Sequence, residues 1–352
     1  MKAPAFWQRR GPGACALLPL AALFAALAAL RRLAYRRGWL AVERVPVPVI
    51  VVGNISVGGT GKTPLLVALA EHLRAAGHRP GIVARGYGGR SRDWPRAVDA
   101  RADPAEVGDE PVLLAGRSAC PVFVGPDRVA AARALLAVHP DCDLLLADDG
   151  LQHYRLGRDV EVVVVDGRRR FGNGWPLPAG PLREPPARLA AADFVVVNGA
   201  APGAGEWRME LVGDTAHALD DPARTRPLAD FRGRPLHALA GIGDPARFFA
   251  ALAAAGLDCV PHAFPDHHAY AAADLAWARG GTLLMTEKDA VKCRRLGLRD
   301  DAWYLPVSAR LDPRLLERLL ARVATLTPGG DDDGQETARH PGVPGQQGAA
   351  RV

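Results

Sequence analysis

Cysteine is scarce in this chain, and lysine is scarcer still. Among 352 residues the five cysteines, Cys15, Cys120, Cys142, Cys259 and Cys293, never fall in C-x-x-C spacing. That excludes a thiolate zinc site and a disulfide framework, and it fits a reducing cytosol. Aromatic residues make up only 6%, and the arginines form no basic stripe interleaved with them, so no nucleic-acid partner is expected. Only four of the 44 basic residues are lysine. Arginine thus carries generic positive charge, and each retained lysine marks a place suited to a compact ammonium on a flexible stem.

Three of the four lysines lie in two short motifs, Lys62 in one and Lys288 and Lys292 in Thr286-Glu287-Lys288-Asp289-Ala290-Val291-Lys292. Lys62 closes Gly53-Asn54-Ile55-Ser56-Val57-Gly58-Gly59-Thr60-Gly61-Lys62-Thr63, which follows an apolar run and precedes a helical stretch. In a strand, glycine-rich turn and helix, backbone N–H groups converge on an anion, so the loop reads as a phosphate cradle for ATP. Lys62 then reaches the β- and γ-phosphates and Thr63 the Mg²⁺. The strict G-x-x-x-x-G-K-[ST] pattern needs glycine at position 56, where this chain has serine. Gly58, Gly59 and Gly61 still supply the freedom such a loop needs.

Length predicts two domains, and 49% apolar with 23% charged residues is ordinary for a globular protein. The net charge of +6 is concentrated toward the N-terminus, where Ala14 to Leu30 carry no charge and arginines flank both sides. As a helix that run spans ~25 Å, marginal for a ~30 Å hydrocarbon core. We read residues 1–40 as a retained membrane-associated helix with its arginines at anionic headgroups; the alternatives are a cleaved signal peptide and a helix packed on the protein's own core.

Short β-branched runs alternate with Ala/Leu-rich stretches over the next 160 residues, the pattern of an α/β fold with a parallel sheet and crossover helices. Strands are expected at 49–52, 81–84, 121–124, 144–147, 160–165 and 194–197, and helices at 63–76, 110–117 and 127–138. The expected division is a P-loop domain over 41–198, a Gly/Ala/Pro linker over 199–206, a smaller α/β domain over 207–327 and a disordered tail over 328–352.

Several constellations carry chemistry. Asp148 and Asp149 end an apolar strand, where a parallel sheet places metal-binding acids beside a phosphate loop. His153 follows closely. Asp109 and Glu110 open a helix, where capping alone accounts for them. Phe264-Pro265-Asp266-His267-His268 holds two adjacent histidines whose side chains diverge in extended chain, so an acid-base or orienting role fits better than a metal. Arg85, in Arg-Gly-Tyr-Gly, and Arg183, beside Glu184 in Gly-Pro-Leu-Arg-Glu, stand on loops that can grip an anion. The segment 286–292 suits either a nucleotide-side role or a structural strand-helix junction.

Taken together, Gly-Asn-x-x-x-Gly-Gly-Thr-Gly-Lys-Thr-Pro at 53–64, Arg-Gly-Tyr-Gly at 85–88, Gly-Asp-Glu-Pro at 108–111, Asp-Asp-Gly-Leu-Gln-His at 148–153, Gly-Pro-Leu-Arg-Glu at 180–184, Phe-Pro-Asp-His-His at 264–268 and Thr-Glu-Lys-Asp-Ala-Val-Lys at 286–292 resemble the tetraacyldisaccharide 4′-kinases of lipid A biosynthesis. The resemblance runs from about residue 5 to 325. It also accounts for Ser56, because this family carries a variant phosphate loop.

That resemblance implies phosphorylation, by ATP with Mg²⁺, of a tetraacyl disaccharide 1-phosphate to lipid IVA. The reaction is expected at the cytoplasmic face of the inner membrane, with a lipid disaccharide as substrate and no obligate protein partner. It makes Asp109 the general base held by His267. The nucleotide falls to Gly53, Asn54, Ser56, Val57, Gly58, Gly59, Thr60, Gly61, Lys62 and Thr63. Asp148, Asp149 and Glu110 become metal or loop-supporting acids, with Thr63, Glu110 and Asp149 the expected metal set, and His153, Arg183 and Glu184 become further active-site residues. A membrane-docked partitioning ATPase and a soluble small-molecule kinase are the rival readings. A dependence of ATP turnover on a lipid acceptor separates them.

Overall fold

A computed structural model describes residues 4–278, 280–298 and 301–326; the expected tail over 328–352 lies outside the described residues. The strands are β1 (Val49–Gly53), β2 (Pro80–Ala84), β3 (Arg96–Val98), β4 (Val122–Val124), β5 (Leu144–Asp148), β6 (Val160–Asp166), β7 (Phe194–Asn198), β8 (Glu206–Val212), β9 (Thr215–Ala218), β10 (Thr225–Pro227), β11 (Leu236–Ala240), β12 (Val260–Ala263), β13 (Thr282–Thr286), β14 (Ala302–Leu305) and β15 (Ser308–Leu311). They form a nine-stranded sheet, ordered β15-β8-β7-β6-β1-β5-β2-β4-β3, and a six-stranded sheet, ordered β10-β9-β14-β13-β11-β12.

Seven adjacent strands of the large sheet run parallel, and an antiparallel strand closes each edge. The central strands β1, β5, β6 and β7 are buried at every position. This is why they read as near-continuous apolar runs, broken inside only by Glu161: a parallel sheet covered on both faces has no solvent side to alternate with. Helices Lys62–Ala75 and Asp109–Ser118 cover one face. Helix Arg128–Val138 covers the other, packing Val129, Ala132 and Leu135 against Val83, Phe123 and Leu145.

The expected linker joins two strands of one sheet. β8 pairs in parallel with β7, Val195 opposite Glu206 through Asn198 opposite Met209, so residues 199–205 make a turn inside the large unit. Glycine there serves the turn, with Gly199 and Gly205 both at positive φ. The chain leaves for the six-stranded sheet only after β8 and returns as β15, whose Ser308 pairs with Val212. Helix Pro313–Ala324 then buries Leu315, Leu319 and Val323 in the core of the large unit. The smaller unit is therefore an insertion between β8 and β15, and the segment after 308 belongs to the large sheet.

At the N-terminus the expected single helix is broken at Leu17 into Pro12–Ala16 and Leu18–Arg36. The second piece has mean hydropathy 1.5 and is long and apolar enough to cross a membrane. Leu20, Leu23, Leu27 and Leu30 stand more than half exposed along it. Its C-terminal turns rest on the large unit, where Arg31 Nη1 donates to Gln152 O at 3.2 Å and the Tyr35 ring lies 5.8 Å from that of Tyr154.

Candidate active site

The site is built at the C-terminal ends of β1 and β5, beside helices that start there. Val52 of β1 and Asp148 of β5 are register partners, so the phosphate loop and the paired acids emerge side by side. Helix Lys62–Ala75 begins after Gly61 in the left-handed conformation, φ 96°. Lys62 Nζ stands 3.6 Å from Asp149 Oδ1, and Arg183 Nη1 donates to both Asp149 oxygens at 3.1 and 3.0 Å. Burial pushes the Asp149 carboxyl up, but Lys62 and Arg183 outweigh it and hold the group below the usual range.

Asp148 behaves oppositely. Burial, reinforced by the nearby charges of Glu110 and Asp149, pushes it up to about 7 against the pull of Lys62 and Arg128. Its Oδ1 is buried and has no hydrogen-bond partner among the described residues. An orphaned oxygen in a site that already holds three acids is a place for a cation to be brought in. His153 has a buried, unpartnered Nε2, and burial next to Arg128 pushes its imidazole down to about 4, so it is neutral at physiological pH.

The two units meet through charge. Asp109, only 5% exposed at the first turn of helix Asp109–Ser118, faces His267 from the smaller unit. His267 Nδ1 lies 3.0 and 3.1 Å from the two Asp109 oxygens. Lys288 Nζ donates to Glu110 Oε1 at 3.0 Å and to Asp266 Oδ1 at 3.1 Å, and sits 3.9 Å from Asp109 Oδ2. Burial raises the Asp109 carboxyl, yet the His267 hydrogen bond and the Lys288 charge bring it below its ordinary value. His267 takes φ +60° and Asp149 φ +45°, left-handed backbone that ordinary residues avoid, and here both bends lie at the site. The adjacent histidines do part company: His268 Nε2 turns away to Asp274 Oδ2 at 3.1 Å.

Glu184 ties several segments together. Its carboxylate accepts from Gln152 Nε2 at 2.8 Å, from the Tyr154 hydroxyl at 2.7 Å and from Arg32 of the N-terminal helix at 3.4 Å. Sequence reasoning missed the placement of Lys288, the part of Asp266 and the buried Arg128 close to Asp148 and Asp149. The scarcity of lysine was the available signal for the first of these.

The sequence profile of the family described as Tetraacyldisaccharide-1-P 4′-kinase matches residues 13–324. The chain belongs to the tetraacyldisaccharide 4′-kinase family. Among relatives so named, one from Alkalilimnicola ehrlichii is 56% identical over 333 residues, 92% of this chain and 97% of the relative. Another, from Azoarcus sp., is 54% identical over 327 residues, 91% and 95% of the two chains. A crystal structure of LpxK from Aquifex aeolicus in complex with ATP superposes with TM-score 0.74 at 28% identity, covering 90% of this chain and 99% of that one. The match to this tetraacyldisaccharide 4′-kinase profile spans both sheets, so the insertion bearing His267 and Lys288 is included in it.

Proposed function

We propose that this chain transfers the γ-phosphoryl group of ATP to the 4′-hydroxyl of a tetraacyl disaccharide 1-phosphate, giving lipid IVA in lipid A biosynthesis. The observation that carries the residue roles is the Asp109–His267 contact, formed across the two units beside the phosphate loop. Asp109 accepts the proton as the sugar oxygen bonds to phosphorus. His267 orients the carboxylate and Lys288 keeps it ionised. A carboxylate held below its usual range is a weak base, which suits a loose transition state in which the hydroxyl proton leaves late. Lys62 neutralises the phosphate oxygens, and Asp149, fixed by Lys62 and Arg183, braces the loop.

Mg²⁺ fits the site. Thr63 stands in the first turn of the loop helix, and the unpartnered Asp148 oxygen favours Asp148 over the doubly paired Asp149 as its carboxylate ligand. When bound, the ion would supply charge neutralisation at the phosphate oxygens. Among the described residues no three His, Cys, Asp or Glu side chains form a metal cage. Mg²⁺ arriving with a nucleotide needs none, since waters and phosphates complete its shell. The exposed leucines of Leu18–Arg36, followed by arginines, support placement at the cytoplasmic side of the inner membrane, where the lipid acceptor is met.

The test is label transfer from ATP to purified tetraacyl disaccharide 1-phosphate in detergent micelles. Wild type should label the lipid, while Lys62→Ala and Asp109→Ala should not, Asp109→Ala and His267→Ala still binding nucleotide. ATP hydrolysis with no lipid labelling by wild type would move the partitioning-ATPase reading ahead.

A further inference from the structure

The phosphate loop is held from behind by several side chains, of which Arg169, Asn198 and Arg247 carry no role in the proposed function. Three consecutive carbonyls are each met by a side-chain donor. Asn54, fully buried after β1, sends Nδ2 to Gly58 O at 3.4 Å and to the Thr60 hydroxyl at 3.1 Å. Arg169 Nη2 donates to Gly59 O at 2.7 Å, and Asn198 Nδ2 donates to Thr60 O at 2.9 Å. In a trans peptide the N–H points opposite to the C=O, so pinning these carbonyls fixes the direction of the N–H groups of Gly59, Thr60 and Gly61. Those three N–H groups meet no backbone acceptor among the described residues.

Two of the donors lead to one carboxylate, Arg169 directly and Asn198 through Arg247. Asp166 and Asn198 are register partners at the ends of β6 and β7. Asp166, 3% exposed, accepts from Arg169 Nη2 at 3.0 Å and lies 3.8 Å from Arg247 Nη1. Arg247 Nη2 donates to Asn198 Oδ1 at 3.0 Å, which leaves the Asn198 amide only one way to face the loop, with Nδ2 toward Thr60. Arg247 belongs to helix Pro245–Ala254 of the smaller unit; every other member comes from the large unit. The loop glycines fit this close approach. A Cβ on Gly61 would fall 2.5 Å from Asn198 Nδ2, and one on Gly58 3.2 Å from Arg169 Nη1.

We propose that Arg169 and the Arg247–Asn198 pair are positioning residues that aim the loop N–H groups at the nucleotide phosphates. Arg247 makes that aim depend on the docking of the smaller unit. The inference rests on the reading of residues 53–63 as the ATP loop. Breaking one charge-assisted bond of this kind should weaken ATP binding about tenfold or more.

The experiment measures equilibrium ATP binding to the full chain in detergent micelles without lipid acceptor, followed by steady-state kinetics with it. Arg169→Ala, Arg247→Ala and Asn198→Asp should each raise the ATP dissociation constant and the KM for ATP about tenfold or more. The KM for lipid should hold, kcat at saturating ATP should fall far less, and Arg247→Lys should recover part of the affinity. Melting temperatures are read alongside. If Arg247→Ala melts early, Asn198→Asp carries the same prediction with nearly the same shape. Variants that bind ATP as wild type does, or that lose kcat with ATP affinity intact, overturn the proposal. A wild type that fails to bind ATP overturns the kinase reading as well, and the wild-type arm alone reveals it.

Discussion

Replacing Lys288 by methionine keeps the stem and removes the charge from a pocket that holds Asp109, Glu110 and Asp266. At 3.9 Å from Asp109 Oδ2 and an effective dielectric near 20, the lost attraction is about 4 kcal/mol, a ceiling because Lys288 divides its charge among three acids. Burial already pushes the Asp109 carboxyl up and only His267 and the weaker pull of Lys292 then oppose it, so the group moves toward protonation. In wild type the depressed Asp109 stabilises the fold above its unfolded value of 3.8, and that contribution disappears only as pH falls through the still lower folded value. Acid loss of activity through this group therefore belongs below pH 4 in wild type. In Lys288→Met the acid limb of kcat should rise by about one pH unit or more, with the KM for ATP nearly unchanged. Lys288→Arg should restore most of the wild-type limb. The assay is the initial rate of label transfer to lipid in micelles from about pH 3 to 9, so that both acid limbs fall inside the scan. A wild-type acid limb and kcat in Lys288→Met would refute the assignment of Lys288 as the group that keeps Asp109 ionised.

Three further outcomes are expected. His153 is pushed down to about 4, so between pH 6.5 and 4 the unfolded chain binds the proton more readily and the fold loses stability as pH falls; His153→Gln should flatten the melting temperature across that window. Leu319→Ala opens a cavity where helix Pro313–Ala324 meets the large core and should cost about 2–5 kcal/mol in denaturant melts, with the KM for ATP held; a cost under 0.5 kcal/mol would contradict that packing. Leu23→Glu with Leu27→Glu, both on the exposed stripe, should shift the protein from membrane pellet to supernatant while transfer to micellar lipid persists; continued pelleting in high salt would point to another anchor.

What could be read from sequence was whatever is local. The strands β1, β5, β6 and β7 announced themselves because burial on both faces leaves them largely apolar, and the loop after β1 because its glycines lie in one short stretch. The pairing of β8 with β7 was hidden, since Gly199 to Gly205 looks the same whether it separates domains or turns inside a sheet. β15 and helix Pro313–Ala324 were assigned to the wrong unit for the same reason: their partners lie about 100 and 250 residues upstream. Lys288 was noticed for its rarity, yet its target carboxylates are 22 and 178 positions away, and no spacing rule encodes such a meeting.

The insertion of the smaller unit between two hydrogen-bonded strands has a mechanical consequence. Val212 and Ser308 face each other across the β8–β15 ladder, so the path out and the path back run side by side as the two rails of one hairpin. Covalently the smaller unit is joined to the large one at that ladder alone, and its other holds, Arg117–Glu287 and Lys288–Glu110 among them, are side-chain pairs. His267, Lys288 and Arg247 ride on that body together. The side chains that reach Asp109 and Asn198 from across the units thus depend together on how that one body docks.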